Sequence, residues 1–177
     1  MTRSIYLHQH NMSLQYRSAV MDDLSRIVEI YNSIIPGRMV TAETNPVSVD
    51  SRIPWFNAHN STHRPLWMVF LEKENVGWVS YQSFYGRSAY NATAELSIYL
   101  DEKFRGRGLG REVINYAMES CKALEIKTLL GFIFAHNLPS IELFKRAGFE
   151  QWGYYPGIAE LDNIERDVVI VGKRINL

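Results

Sequence analysis

The chain carries one cysteine, Cys121, so no disulfide can form within it. It lacks any apolar run of the ~20 residues that a membrane-spanning helix needs. Its first segment, MTRSIYLHQHN, has no apolar stretch of signal-peptide length. These absences argue against a disulfide scaffold and a membrane partner, and they fit a reducing cytoplasm. Neither sign of charge is in excess: Lys and Arg total 19, Asp and Glu total 19, and the formal net charge is zero. A protein whose main partner is nucleic acid neutralises phosphates with a basic surplus, and that surplus is missing. A local basic cluster can still grip one small anion. Internal repeats, low-complexity tracts and linkers are missing too. The 177 residues therefore read as one domain over 12–177, after a polar, disordered lead-in at 1–11.

What is present is a hydrophobic share of 46%, enough for a sizeable core at this length. Leu14 to Arg17 reads as a short strand. Asp22 is placed to cap a helix in which Leu24, Ile27, Val28, Tyr31 and Ile34/Ile35 recur at three and four residues, and Pro36-Gly37 stops it. A second short helix is expected within 47–59, interrupted or begun near Pro54. The period then changes. Residues 66–71, 76–85 and 92–100 are rich in β-formers and separated by short turns, which suggests an antiparallel meander. In the third strand Ala92, Ala94, Leu96, Ile98 and Leu100 share one face, while Thr93, Glu95, Ser97 and Tyr99 share the other.

After Leu100 the pattern becomes helix, strand, helix, strand. Leu109, Val113, Ile114, Ala117, Met118, Cys121 and Leu124 form a helical stripe. Residues 128–134 read as a strand buried on both faces, 139–147 as a helix ended by Gly148, and 149–155 and 165–174 as strands. The fold class is thus α/β: a mixed sheet of about seven strands, a meander then a parallel pair, with helices on both faces.

The most informative segment is Arg105-Gly106-Arg107-Gly108-Leu109-Gly110-Arg111, which joins a strand to a helix. Glycines there permit positive φ and a close backbone approach. Successive N–H groups at a helix N-terminus then favour an anion, and the arginines add charge. A phosphate or pyrophosphate suits such a turn. It is not a Walker A loop, because Arg111-Glu112 follows Gly110, and not a dinucleotide fingerprint, which needs glycine where Arg111 stands. The bland alternative is a turn with solvated arginines.

With this turn the sequence resembles the GNAT superfamily of acyl-CoA-dependent N-acetyltransferases, whose phosphate loop reads Arg/Gln-x-x-Gly-x-Gly/Ala. A second motif, Asn137-x-x-Ser140-x-x-Leu143-Phe144-x-x-x-Gly148-Phe149, fits downstream. A narrower likeness points to the phosphinothricin N-acetyltransferase group, at Ile30-Tyr31-Asn32, Trp55-Phe56-Asn57-Ala58-His59, Arg87-Ser88-Ala89-Tyr90 and Thr93-Ala94-Glu95. One departure stands out: that group carries a tryptophan before the Asp-Val pair of the last strand, where Ile164-Glu165-Arg166 precedes Asp167-Val168.

The resemblance implies a fold in which two central strands splay apart to admit acetyl-CoA, with no metal. Ile98, Tyr99 and Leu100 would supply backbone to the pantetheine arm by strand addition. Arg105, Gly106, Arg107, Gly108, Leu109, Gly110 and Arg111 would hold the pyrophosphate. An N–H near Tyr99 would polarise the thioester carbonyl. Asn137 and Ser140 either approach the cofactor or cap a helix.

Glu95 is implied as the base that accepts the amine's proton, directly or through water, because an amine of pKa about 10 is mostly protonated at neutral pH. The alternative is a solvent-facing glutamate. Arg87 and Tyr90 are implied on the acceptor side, where an arginine suits a carboxylate. The tyrosine that often protonates the leaving thiolate in this superfamily is replaced by Phe144, which leaves Tyr99, Tyr154 or unassisted departure. The expected activity is acetyl transfer to a small primary amine such as a phosphinothricin-like or methionine-sulfoximine-like amino acid. The alternatives are a protein N-terminal or lysine acetyltransferase and a non-catalytic acyl-CoA sensor. Relatives imply a homodimer. His59 and His63 make no zinc motif, His136 reads as a loop residue, and Cys121 reads as buried.

Overall fold

Asp23, not Asp22, starts the first helix. The chain takes a tight 3-10 turn over Met21–Asp23, which moves the capping carboxylate by one residue. Asp23 accepts the Val20 N–H at 2.7 Å and two N–H groups of Arg17 at 2.8 Å, and Asp22 is left exposed. The computed structural model describes residues 13–176. The lead-in expected at 1–11 lies outside the described residues.

Eleven main elements follow in order: β1 (Leu14–Ser18), α1 (Leu24–Ile34), α2 (Val49–Asn57), β2 (Leu66–Leu71), β3 (Glu74–Ser83), β4 (Thr93–Leu100), α3 (Leu109–Ser120), β5 (Thr128–Phe134), α4 (Leu138–Arg146), β6 (Glu150–Leu161) and β7 (Ile164–Arg174). The seven strands form one sheet in the order β1-β2-β3-β4-β5-β7-β6. The β4–β5 pair is parallel and the other neighbours are antiparallel. The mixed sheet and the meander read from the sequence are therefore both present.

Alternation along β3 and β4 sorts the core into two layers. Val79, Tyr81, Ala94 and Leu96 pack with Leu109, Val113, Ile114 and Ala117 of α3 and Phe144 of α4. Trp78 packs on the opposite face with Ile27 and Ile30 of α1, and Trp55, Phe56 and Tyr99 close around it. Two buried polar tips are satisfied by helix backbone: the Tyr81 hydroxyl donates to Ala117 O at 2.9 Å, and Trp78 Nε1 to Ile27 O at 3.2 Å. Val113, Ile114 and Ala117 have no exposed surface. Truncating Ile114 to alanine would cost about 2–5 kcal/mol through the lost contacts and the cavity left behind.

β6 runs to Leu161, six residues beyond the expected end, and forms a long hairpin with β7. Asp162 and Asn163, with φ of 52° and 62°, make its turn, as such residues tolerate the left-handed region. Its register shifts between Tyr155 and Ala159, around Pro156-Gly157, and the Gly157 N–H donates to the Asp167 carboxylate at 2.7 Å.

Candidate active site

β4 and β5 pair only at Thr93–Thr128, Ala94–Leu129 and Glu95–Leu130. Beyond Glu95 the two strands separate, although β4 runs to Leu100 and β5 to Phe134. On its other edge β4 stays bonded to β3 as far as Leu100. The edge facing the gap therefore offers unpaired backbone groups from Leu96 onward. A cleft of about 60 Å³ fills the gap, lined by Ser97, Ile98, Tyr99, Gly131, Asn137 and Ser140 among others. Such an edge suits an extended chain with amide groups.

At the end of β4 the chain turns through Glu102–Phe104 into α3. Gly106 and Gly108 have φ of 75° and 81°, and a Cβ at either would meet nothing within 4 Å. This is open space bordered by left-handed backbone. None of the backbone hydrogen bonds among the described residues starts from Gly106, Arg107 or Gly108, and the first N–H groups of α3 have no intrahelical acceptor. Arg105, Arg107 and Arg111 are exposed around them. Leu109 and Gly110 serve differently. Leu109 is a core residue, and a Cβ on Gly110 would sit 2.9 Å from Leu143 Cδ2, so this glycine lets α3 approach α4. The residues present fit a pyrophosphate at the loop and a pantetheine-like arm in the cleft.

A second cavity, of about 160 Å³, lies on the other face of the sheet beneath α1 and α2. Its floor is a ladder of cross-strand pairs: Trp78 opposite Tyr99, Ser80 opposite Ser97, Gln82 opposite Glu95. Tyr31, Arg52 and Trp55 complete the walls. Tyr99 and Ser97 line both this cavity and the cleft, so the two spaces meet at β4. Burial raises the Glu95 carboxyl above the usual range. Burial, with Tyr31 and Glu95 nearby, also raises the Tyr99 hydroxyl, against the pull of Arg52, so Tyr99 keeps its proton. The Ser80 Oγ is buried without a hydrogen-bond partner among the described residues. A buried hydroxyl of this kind calls for a water or a ligand.

A match to the acetyltransferase (GNAT) family spans residues 26–149. The chain belongs to that family. A Bacillus subtilis protein named "Putative phosphinothricin acetyltransferase YwnH" is 47% identical over 161 residues, 90% of this chain and 98% of that one. The "L-methionine sulfoximine/L-methionine sulfone acetyltransferase" of Pseudomonas paraeruginosa is 29% identical, over 84% of this chain and 87% of that one. A solved GNAT phosphinothricin acetyltransferase from Sinorhizobium meliloti, in complex with AcCoA, superposes with a TM-score of 0.85 at 25% identity, covering 93% of this chain and 90% of that one.

Within this GNAT fold the expected residues divide. Glu95 lines the cavity, Ile98 the cleft and Tyr99 both, while Asn137 and Ser140 also line the cleft. Asn137 also caps α4: its Oδ1 accepts the Ser140 N–H at 3.2 Å, and its Nδ2 donates to Met39 O at 2.9 Å. Asn137 thus caps α4 while also lining the cleft. Arg87 and Tyr90 do not line the cavity with Glu95. Arg87 is exposed before the short turn Ser88–Tyr90, and Tyr90 packs against Phe84 with centroids 5.4 Å apart. The Tyr154 hydroxyl, raised by its bond to Asp167, is committed to that carboxylate on the hairpin. His136 Nε2 meets the Arg38 carbonyl at 2.8 Å, as a loop histidine would. Cys121 is fully buried, with its thiol pushed up to about 12. Arg52 and Ser80 carried no sequence signal as site residues, since one sits on a weakly patterned helix and the other reads as a strand hydroxyl.

Proposed function

We propose that this GNAT acetyltransferase moves an acetyl group from acetyl-CoA to the primary amine of a small amino acid of the methionine-sulfoximine or phosphinothricin type. The observation that carries this reading is the junction at Tyr99, where a compact cavity with a half-buried carboxylate opens onto a free strand edge. A cavity of about 160 Å³ suits an amino acid better than a peptide segment.

The backbone N–H groups from Gly106 to Gly110, with Arg105, Arg107 and Arg111, would hold the pyrophosphate. Ile98, Tyr99 and Leu100 would pair with the pantetheine amides, and Asn137 and Ser140 would close the other wall. When bound, the thioester supplies an activated acyl carbon. The amine nitrogen bonds to that carbon, the carbon–sulfur bond breaks, and the sulfur leaves as thiolate. Thiol acidity near 8.5 makes the thiolate a tolerable leaving group.

Glu95 takes the proton that the amine must lose. Four residues of strand separate Glu95 from Tyr99, roughly 13 Å along β4. The proton therefore passes through water held over Ser80 and Ser97, whose hydroxyls lie between them on the same floor. Tyr99 is the remaining phenol able to protonate the thiolate. Arg87 and Tyr90 stay as outer acceptor contacts in this reading.

We further propose a homodimer. The long edge strand β6 exposes Trp152, Tyr155 and Ile158, and a second copy would cover them. Sedimentation at micromolar concentration should give twice the 20.5 kDa chain mass; a monomer there would exclude this assembly. The activity itself is tested by thiol release from acetyl-CoA against a panel of amino acids, polyamines and peptides. Turnover confined to peptides would favour protein acetylation, and cofactor binding with no turnover would favour a sensor.

A further inference from the structure

Arg52 is the one cation among the residues that line the acceptor cavity. It projects from α2, and two contacts hold it in place. Its guanidinium carbon lies 4.6 Å from the centroid of the Tyr31 ring. One nitrogen reaches Glu43 Oε1 at 3.1 Å. Tyr31 itself is fixed by a hydrogen bond between its hydroxyl and Thr41 Oγ1. A planar guanidinium carries five N–H donors, and Glu43 is its only hydrogen-bond acceptor among the described residues. Most of its donors are therefore free, on a side chain only 22% exposed. The group is preorganised but under-used, and that is the state expected of a receptor awaiting an anion.

We propose that Arg52 receives the carboxylate of the acceptor and thereby selects amino acids over simple amines. The assignment rests on the acetyl-transfer reading above. Charge bookkeeping supports it. The cavity presents one carboxylate, Glu95, and one guanidinium, Arg52. A zwitterionic amino acid brings one charge to match each. A polyamine or a lysine side chain would bring only positive charge and leave Arg52 desolvated beside a cation.

Position supports it as well. Arg52 covers Tyr31, whose ring lies 5.4 Å from that of Tyr99, so the guanidinium stands at the Tyr99 end of the floor. An α-carboxylate bound there keeps the adjacent amine near the junction with the cleft. Arg87, by contrast, lies outside the lining of this cavity.

The test compares kcat/KM for L-methionine sulfone with that for its carboxamide, in the wild type, Arg52→Gln and Arg52→Lys. The wild type should prefer the acid at least 30-fold, because the amide offers no anion to the guanidinium donors that Glu43 leaves free. Arg52→Gln should bring that preference to within about threefold of unity, mainly through KM. Arg52→Lys keeps the charge without the fork and should fall between; it carries the test alone if the glutamine variant does not fold. An unchanged preference in both variants, or a wild type indifferent to the amide, would overturn the assignment. Calorimetry with N-acetyl-L-methionine sulfone supplies a second readout that needs no turnover, with binding at least tenfold weaker expected in Arg52→Gln. A wild type that binds this ligand through Arg52 but releases no thiol with any amine would sink the transfer reading and leave the anion site standing. Equal affinity in wild type and variant would sink the anion site alone.

Discussion

The ring of Tyr99 stacks on that of Trp78, with centroids 4.3 Å apart and planes 25° from parallel. Trp78 is pinned from behind by its bond to Ile27 O. The stack therefore fixes the one aromatic side chain among the described residues that borders both the cavity beneath α1 and α2 and the β4–β5 cleft. Two tasks fall to it in the proposed mechanism: the ring shapes the junction, and the hydroxyl would protonate the departing sulfur.

These tasks are separable by substitution. Tyr99→Phe keeps the stack and removes the proton, so kcat should fall about tenfold with little change in either KM. Tyr99→Ala removes both, and should also cost about 3 kcal/mol of stability. Chemical denaturation alongside steady-state kinetics checks the pair. A phenylalanine variant with full kcat would assign thiolate departure to no protein donor.

With Glu95 as the proposed base, activity and stability are linked with a definite sign. Its folded-state acidity is weakened by burial, so the native protein holds the proton to higher pH than the unfolded chain does. The stability penalty of the bare carboxylate is thus absent below the ordinary carboxyl value of about 4.3 and complete once pH exceeds the raised folded value. Glu95→Gln should therefore raise Tm at neutral pH, and the gain should vanish toward about pH 4. The same variant should lose roughly 100-fold in kcat at neutral pH, with partial recovery above about pH 9, where the amine deprotonates unaided. In the wild type, the acidic limb of kcat/KM should lie above the usual carboxylate range.

In the loop, charge and packing can be told apart. Arg107→Gln should weaken acetyl-CoA binding several-fold, more at low ionic strength, and leave Tm unchanged, since Arg107 is exposed. Gly110→Ala should destabilise the fold by about 1–3 kcal/mol through its clash with Leu143, and Tm should fall accordingly. Calorimetric binding and thermal melts on both variants make the comparison.

Asp101 anchors the approach to that loop. It accepts Arg26 Nη2 at 2.5 Å and the Lys103 N–H at 3.1 Å. Burial pushes its carboxyl up, but the bonds from Arg26 and Lys103 and the Arg26 charge pull it further down, so it ends below the usual range. A depressed carboxylate contributes stability above its unfolded pKa and loses it as pH falls through the folded one. Asp101→Asn should lower Tm at neutral pH, with the difference from wild type shrinking in strong acid. A constant difference across that window would contradict the role assigned to the ion pair.

Local signals explain what the sequence made legible. β2 and β5 match their expected ranges because unbroken apolar runs mark them, and the glycine-arginine turn lies within seven consecutive residues. The floor face of β4 was readable from alternation alone. β6 was read too short because Gly153, Pro156 and Gly157 interrupt it and most of its side chains are exposed, so neither periodicity nor burial signals a strand. The cavity walls were harder still. Arg52 meets Tyr31 across two helices, and Ser80 matters only because no partner reaches it. Such properties are tertiary, and no short window carries them. The resemblance pointed to Arg87, which lies outside the cavity lining, whereas Arg52 of α2 lies within it.

The most direct measurement mixes purified protein, acetyl-CoA and L-methionine sulfone at neutral pH, and follows free thiol together with acetylated product by mass spectrometry. The account predicts stoichiometric release of thiol and N-acetylated amino acid by the wild type, slowed about 100-fold by Glu95→Gln. Equal turnover by the two proteins, or acetyl-CoA binding with no product from any amino acid, would contradict it.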